Sequence, residues 1–317
     1  MTEVIYSSYI SMLVRYFNLE QSIQWTSLYG SIKEINGEKI GIVKGTFYDT
    51  LSENYFPDSE FVYGDNIFYL LEKLMLEEIE GFIYDQPVIE VYSKLFPHRV
   101  NFYPFDELEE NHNGFGFQKN EEGEALAKEF NEFLKTIDVP ALEKKWSKPD
   151  WSSETMALND NSDFKIDKEF NPNDKLLTVG FELGLKPLSF YYGNEPMGSE
   201  IEIIYLFAKA KHYNINLIEI SLAERVSLLK EQKLNITGGS FSIIDERKKD
   251  IIFSDTIYSC KTVLAVRLDS KKDEVPLGIR DGKYNLKEKK IVDVNVKFPD
   301  DKKFHLVFSP IFIMILF

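Results

Sequence analysis

A disulfide inside this chain is impossible, because its 317 residues include one cysteine, Cys260. That fits the cytosol and equally fits an exported domain built without disulfides. Histidine is scarce as well. His98, His112, His212 and His305 are scattered, and no Cys or His pair stands at zinc-ligand spacing, so neither a metal nor a cofactor is expected. Positive charge is in deficit: 37 Lys and Arg face 52 Asp and Glu, for a formal net charge of −15. Nucleic acid and anionic membrane surfaces repel such a chain, although one basic pocket can sit inside an acidic shell. No run of eighteen or more apolar residues is present to span a membrane. The opening MTEVIYSSYISMLVRYF lacks the basic start and clean apolar stretch of a secretory signal, since Glu3 precedes any base. The closing VFSPIFIMILF is apolar but eleven residues long and broken by Pro310; it reads as a strand or as the start of an unfinished span, with the strand preferred.

What is present is an α/β pattern. Apolar residues make up 44% of the chain, enough for a sizeable core. From Lys39 to Tyr103 short apolar runs alternate with amphipathic ones. KIGIVKG, GFIYD and RVNFY read as strands. DNIFYLLEKLMLEEIE carries Ile67, Leu70, Leu71 and Leu74 at helical spacing, and QPVIEVYSKLF opens a helix with Pro87 in its first turn. This alternation predicts a parallel sheet covered on both faces. Two further helices are expected on either side of Asp138-Val139-Pro140. The stretch 147–175 is rich in Ser, Asp, Asn and Pro and reads as a linker. LLTVGFE, INLIEI and LNITGG then read as strands. Helices are expected between them, the first with Ser199 as its cap. Beyond Asp269 the alternation fails.

One internal echo stands out. Residues 2–15 and 254–267 align without a gap, and Ile5, Tyr6, Ser7, Val14 and Arg15 match Ile257, Tyr258, Ser259, Val266 and Arg267.

The candidate site lies at strand ends. A parallel strand that finishes in Gly238-Gly239-Ser240 exposes backbone N–H groups where open sheets bind ligands, and such groups suit an anion. Arg247 adds a planar fork that grips a carboxylate through two parallel bonds. The competing reading is a plain turn with Arg247 on a solvated face beside Lys248 and Lys249. Gly45 and Thr46 form a second possible cradle, or Thr46 simply caps a helix. Asp85, ahead of Pro87, suits an ammonium group or serves as an N-cap. Asn235-Ile236-Thr237 matches a glycosylation sequon but lies in an expected buried strand.

Several segments together resemble the bacterial extracellular solute-binding proteins of family 3, the two-lobed partners of ABC importers that bind polar amino acids. LLTVGFELGLKPLSFYYGNEPMGSEIEIIYLFAKAKHYNINLIEI resembles the start of their lobe one. LLKEQKLNITGGSFSIIDERKKDIIFSDTIY resembles the family's most specific segment. INGEKIGIVKGTFYDTL, EEIEGFIYDQPVIEVY and GFGFQKNEEGEALAKEFNEFLKTIDVPALEKKW resemble lobe two and the closing helices. The resemblance implies a periplasmic-binding-protein-like, Venus-flytrap architecture. It assigns residues 1–150 to a lobe-two-like α/β unit, 151–175 to a linker, 176–268 to a lobe-one-like unit and 269–317 to an atypical strand-rich tail. The lobe order is therefore permuted, as in a piece cut from a tandem array, with both copies of the echo resembling the hinge strand that leaves lobe one.

Carried over by position, the resemblance puts a ligand carboxylate on Arg247, Ser240 and Ser242. Gly45, Thr46 and Phe47 close on it from the other lobe, Asp85 takes the ammonium, and Glu182 faces the ligand. The departures are Leu185 where an aromatic residue often stands, Ile244 for a threonine and Thr256 for a proline. The implied activity is non-catalytic, extracytoplasmic binding of an amino acid for an ABC permease. A sensor ectodomain and a non-functional remnant are the alternatives. An enzyme is disfavoured because only Glu182 is available as a catalytic group.

Overall fold

The computed structural model describes residues 25–27, 32–96, 99–147, 166, 168, 171–192 and 194–270, with four short strand segments at 283–285, 290–293, 305–308 and 313–316. The expected α/β pattern is observed as two sheets, one in each of two lobes.

The N-terminal lobe holds β1 (Trp25–Ser27), β2 (Lys39–Val43), β3 (Glu60–Gly64), β4 (Gly81–Asp85) and β5 (Val100–Pro104). Strand β2 runs parallel to both β3 and β4. All five residues of β4 are buried, as an inner strand covered on both faces requires. Helix α1 (Tyr48–Tyr55) follows β2, α2 (Ile67–Met75) follows β3 and α3 (Gln86–Leu95) follows β4. Asn66 caps α2 by accepting from the Tyr69 N–H, and Ile67, Leu70, Leu71 and Leu74 form its buried stripe. Pro87 sits in the first turn of α3, where its missing N–H leaves no bond unmade.

The C-terminal lobe holds β8 (Lys175–Phe181), β12 (Tyr213–Glu219), β13 (Ile236–Thr237) and β14 (Ile251–Phe253), with a short three-stranded meander, β9 (Gly184–Leu185), β10 (Ser189–Tyr192) and β11 (Glu195–Met197), beside it. Strands β12, β8 and β13 are parallel. Helix α6 (Ser199–Lys211) starts from Gly198 with no side-chain cap, so Ser199 is its first residue and not its cap. His212 ends it in the left-handed region at φ 59, which accounts for one of the four histidines. Helices α7 (Arg225–Lys230) and α8 (Asp245–Lys248) complete the lobe.

Neither sheet is made from one continuous stretch of chain. Strand β7 (Gly116–Gln118) enters the C-terminal sheet between β13 and β14, antiparallel to both. Strand β16 (Thr262–Ser270) enters the N-terminal sheet between β4 and β5, antiparallel to both, and its end pairs with β1. The two crossings, β6 (Asn111–Asn113) and β15 (Tyr258–Cys260), pair antiparallel as a two-stranded hinge. Two more hairpins close the described chain: β17 (Lys283–Asn285) with β18 (Lys290–Asp293), and β19 (His305–Phe308) with β20 (Ile313–Leu316). The last of these agrees with a strand in the apolar C-terminus.

Helices α4 (Glu121–Leu134) and α5 (Val139–Ser147) follow β7 and pack on the C-terminal lobe. On α4, Phe130 stacks edge-on against Phe115 and Phe207, with ring centroids 4.9 Å apart in each pair. On α5, the buried Trp146 donates its indole N–H to Glu202 at 2.6 Å, and Lys145 pairs with the same carboxylate at 2.7 Å. Because Phe130 is fully buried among rings from three elements, Phe130→Ala is expected to cost about 3–5 kcal/mol of stability. Urea denaturation of the two forms measures it; a loss under about 1 kcal/mol would mean that these rings do not pack as described.

Candidate functional site

The sequence-predicted residues converge where the lobes face each other. Strand β2 ends at Val43, and the turn Lys44-Gly45-Thr46 leads into α1. Gly45 has φ +77, and a Cβ placed there would lie 2.3 Å from Ala223 Cα in the other lobe. The two backbones therefore touch at a position that only glycine permits. Thr46 turns its hydroxyl back to the Val43 carbonyl at 2.7 Å, and Phe47 occupies the N-cap position of α1. In the other lobe, β13 runs into Gly238-Gly239-Ser240, with Gly239 at φ +86 and Ser240 at φ 53.

Asp85 closes β4 and is 2% exposed. It occupies the N-cap position of α3 but makes no capping bond. Its Oδ1 instead accepts from the Tyr48 hydroxyl and, at 2.9 Å, from Asn111 Nδ2, while its Oδ2 accepts from the Ser240 hydroxyl of the facing lobe. The Cys260 thiol is a further donor. Burial and the adjacent Asp85 charge push the Tyr48 hydroxyl pKa well up, so it stays protonated and donating. Asn111 also donates to Ser242 Oγ at 3.0 Å, tying hinge and loop together.

Arg247 is half-buried, not solvated. It donates to the Ser242 carbonyl at 2.8 Å and, across the cleft, to the Gly45 carbonyl at 2.9 Å. Burial, and then the charge of Arg225, lower its pKa to about 9. Arg225 is 1% exposed and was read from the sequence only as part of a helix. It donates to the carbonyls of Leu222 at 3.0 Å and Gly239 at 2.7 Å and lies 4.1 Å from the Phe241 ring centroid, with Arg247 at 4.7 Å from the same ring. Burial lowers its pKa to about 10, with Tyr84, Glu200 and Glu182 opposing.

Sequence reasoning also missed Glu200. This carboxylate is 1% exposed in the first turn of α6, and it accepts from the backbone N–H groups of Gly239 at 2.6 Å and Ser240 at 3.0 Å. The strand-end cradle read as an anion site is thus satisfied by the protein's own anion. Burial raises the Glu200 pKa, with the two N–H groups pulling it back. Glu182 follows β8, is 9% exposed, and is raised to about 7 by burial. A cavity of about 390 Å³ opens on the hinge side between α3, Pro187 and Ser147, with Cys260 in its wall. None of the eight predicted site residues lines it.

Comparison with known proteins supports the family resemblance over the C-terminal part of the chain. Residues 177–303 match the family model for bacterial extracellular solute-binding proteins, family 3. These are binding proteins, not enzymes. The arginine-binding extracellular protein ArtP of Bacillus subtilis is 25% identical over 96 residues, covering 30% of this chain and 38% of its own length. Among solved structures, arginine-bound ArgBP from T. maritima is similar with a TM-score of 0.38 and 14% identity, over 77% of this chain and 93% of that one. A zinc-bound ligand-binding component of an ABC-type import system from Staphylococcus aureus gives 0.37 and 14%, over 71% and 65%.

The backbone contact at Gly45 has a direct consequence. In Gly45→Ala the new methyl meets Ala223 at 2.3 Å, and backbone on both sides cannot yield, so the lobes are expected to separate. Small-angle scattering should report a larger radius of gyration than for the native chain; an unchanged radius with native thermal stability would show that the lobes do not meet there.

Proposed function

We propose that the chain binds a small dipolar solute, an amino acid, between its lobes, outside the cytoplasm, for delivery to an ABC permease. The observation that carries this reading is the opposed pair Asp85 and Arg247. One belongs to each lobe, both are drawn into the same cleft, and they carry opposite charges. A carboxylate has about four acceptor sites, and four protein donors fill them in the closed form, so Asp85 takes an ammonium in place of the Ser240 hydroxyl. Arg247 can exchange the Gly45 carbonyl for a solute carboxylate, which is the stronger acceptor because it is charged. Thr46, Phe47, Ser242 and Glu182 complete the enclosure. Similarity to the arginine-binding protein of Bacillus subtilis makes arginine the first solute to try.

The same reading covers the order of the chain. We take the N-terminal lobe as equivalent to the family's second lobe and the C-terminal lobe as equivalent to its first, in a segment of a tandem array. Two facts support this. The family match begins only at residue 177, and the second copy of the internal echo forms β15 and β16, the strands that leave the C-terminal lobe for the other sheet.

Calorimetric titration against the amino acids tests the proposal. A solute at a hundred times its dissociation constant should add about 2.7 kcal/mol of stability. Arg247→Ala should weaken binding by about 2–5 kcal/mol, the scale for removing one partner of a buried charge pair. An unchanged affinity in that variant would remove Arg247 from the site.

A further inference from the structure

The wall between the lobes buries a carboxyl that is only half satisfied. Glu182 is held by the Gly184 N–H, but its buried Oε2 accepts no hydrogen bond among the described residues. Its surroundings come from both lobes. A Cβ at Gly184 would lie 2.8 Å from Glu182 Oε1 and 2.6 Å from the Phe68 ring of α2, so that ring and the carboxyl share one narrow space. Tyr92 of α3 reaches across and donates to the Gly184 carbonyl at 2.9 Å. The titratable groups facing Glu182 are Arg225 and Glu219 from its own lobe and Tyr84 and Tyr92 from the other. Of these only Arg225 is cationic, and its strongest bonds go to the Gly239 and Leu222 carbonyls. Towards Glu182 the facing lobe brings the Phe68 ring and the neutral phenols of Tyr84 and Tyr92.

We infer that Glu182 couples closure of the lobes to uptake of one proton: its carboxyl is protonated when Phe68 and Tyr92 cover it and ionised when the lobes separate and water reaches Oε2. An unpaired carboxylate is not kept charged in such a place, because desolvation favours the neutral acid. The inference rests on the reading of the chain as two lobes that close, and not on which solute they close on.

The sign follows from the two states. In the closed form burial puts the Glu182 pKa at about 7; in the open, hydrated form it returns to the ordinary value of about 4.3. Below the open-form value both forms hold the proton, and closure does not depend on pH. Between the two values only the closed form holds it, so the closed-to-open ratio falls by up to about tenfold per pH unit as pH rises. Above the closed-form value both forms are ionised and the ratio levels off.

The test needs no solute, so it stands or falls separately from amino-acid binding. Spin labels are attached through Leu76→Cys and Leu176→Cys, at positions 47% and 55% exposed on the two lobes, in the full chain with Cys260 left buried. The distance distribution is recorded from about pH 5 to about pH 9. The native chain should lose its short-distance population as pH rises towards neutrality and then level off. Glu182→Gln, which cannot ionise, should keep that population at every pH. A flat native profile, or a variant that follows the native profile, overturns the inference. If Glu182→Gln does not fold, glutamate side-chain carboxyl carbons are followed by NMR in Glu143→Gln, which removes the other glutamate raised to about 7. The Glu182 resonance, assigned apart from that of Glu200, whose pKa burial also raises, must then titrate near neutrality, and its failure to do so overturns the inference equally.

Discussion

A carboxylate buried where four parts of the chain meet is the constraint on which the rest of this structure depends. Asp85 sits at the end of a fully buried strand, and an ion there is tolerable only if donors surround it. They come from α1 through Tyr48, from hinge strand β6 through Asn111, from hinge strand β15 through Cys260, and from the facing lobe through Ser240. Satisfying one side chain therefore fixes the position of helix, hinge and opposing loop together.

Charge elsewhere in the cleft follows a related logic. Two arginines lie over the same ring, Phe241, and both reach the Gly45 carbonyl, Arg247 at 2.9 Å and Arg225 at 3.5 Å. Like charges this close repel, and burial lowers both pKa values. Carbonyls on two lobes and the buried Glu200 offset that repulsion. The result is a set of cationic donors facing an opposed carboxylate, on which the proposed solute site rests. The strand exchange behind it, with β7 in one sheet and β16 in the other, makes each lobe depend on the other's chain.

Much of this was legible in the sequence, and the rest was hidden for physical reasons. Strand β2 and helix α2 announced themselves through local periodicity, which depends only on neighbours a few residues away. Asp85 and Arg247 were legible because a strand end before Pro87 and a basic residue after a glycine turn are local patterns. Glu200 was not: an acid in the first turn of a helix reads as a dipole partner, and nothing nearby says that it reaches a loop 39 residues further on. Arg225 was hidden in the same way, since helical periodicity does not say which polar residue of a helix turns inward. The placement of β7 and β16 could not be read from pattern alone, because their partners lie far away in sequence.

The most direct test of this account is a double-mutant cycle on the bond that joins the lobes. Asp85→Asn, Ser240→Ala and the pair would be compared with the native chain by urea unfolding. If Asp85 draws the lobes together as described, the two changes should couple by about 1.5–3 kcal/mol, the scale of a hydrogen bond to a charged group. Strictly additive losses would mean that Asp85 and Ser240 do not meet, and the shared cleft would have to be given up.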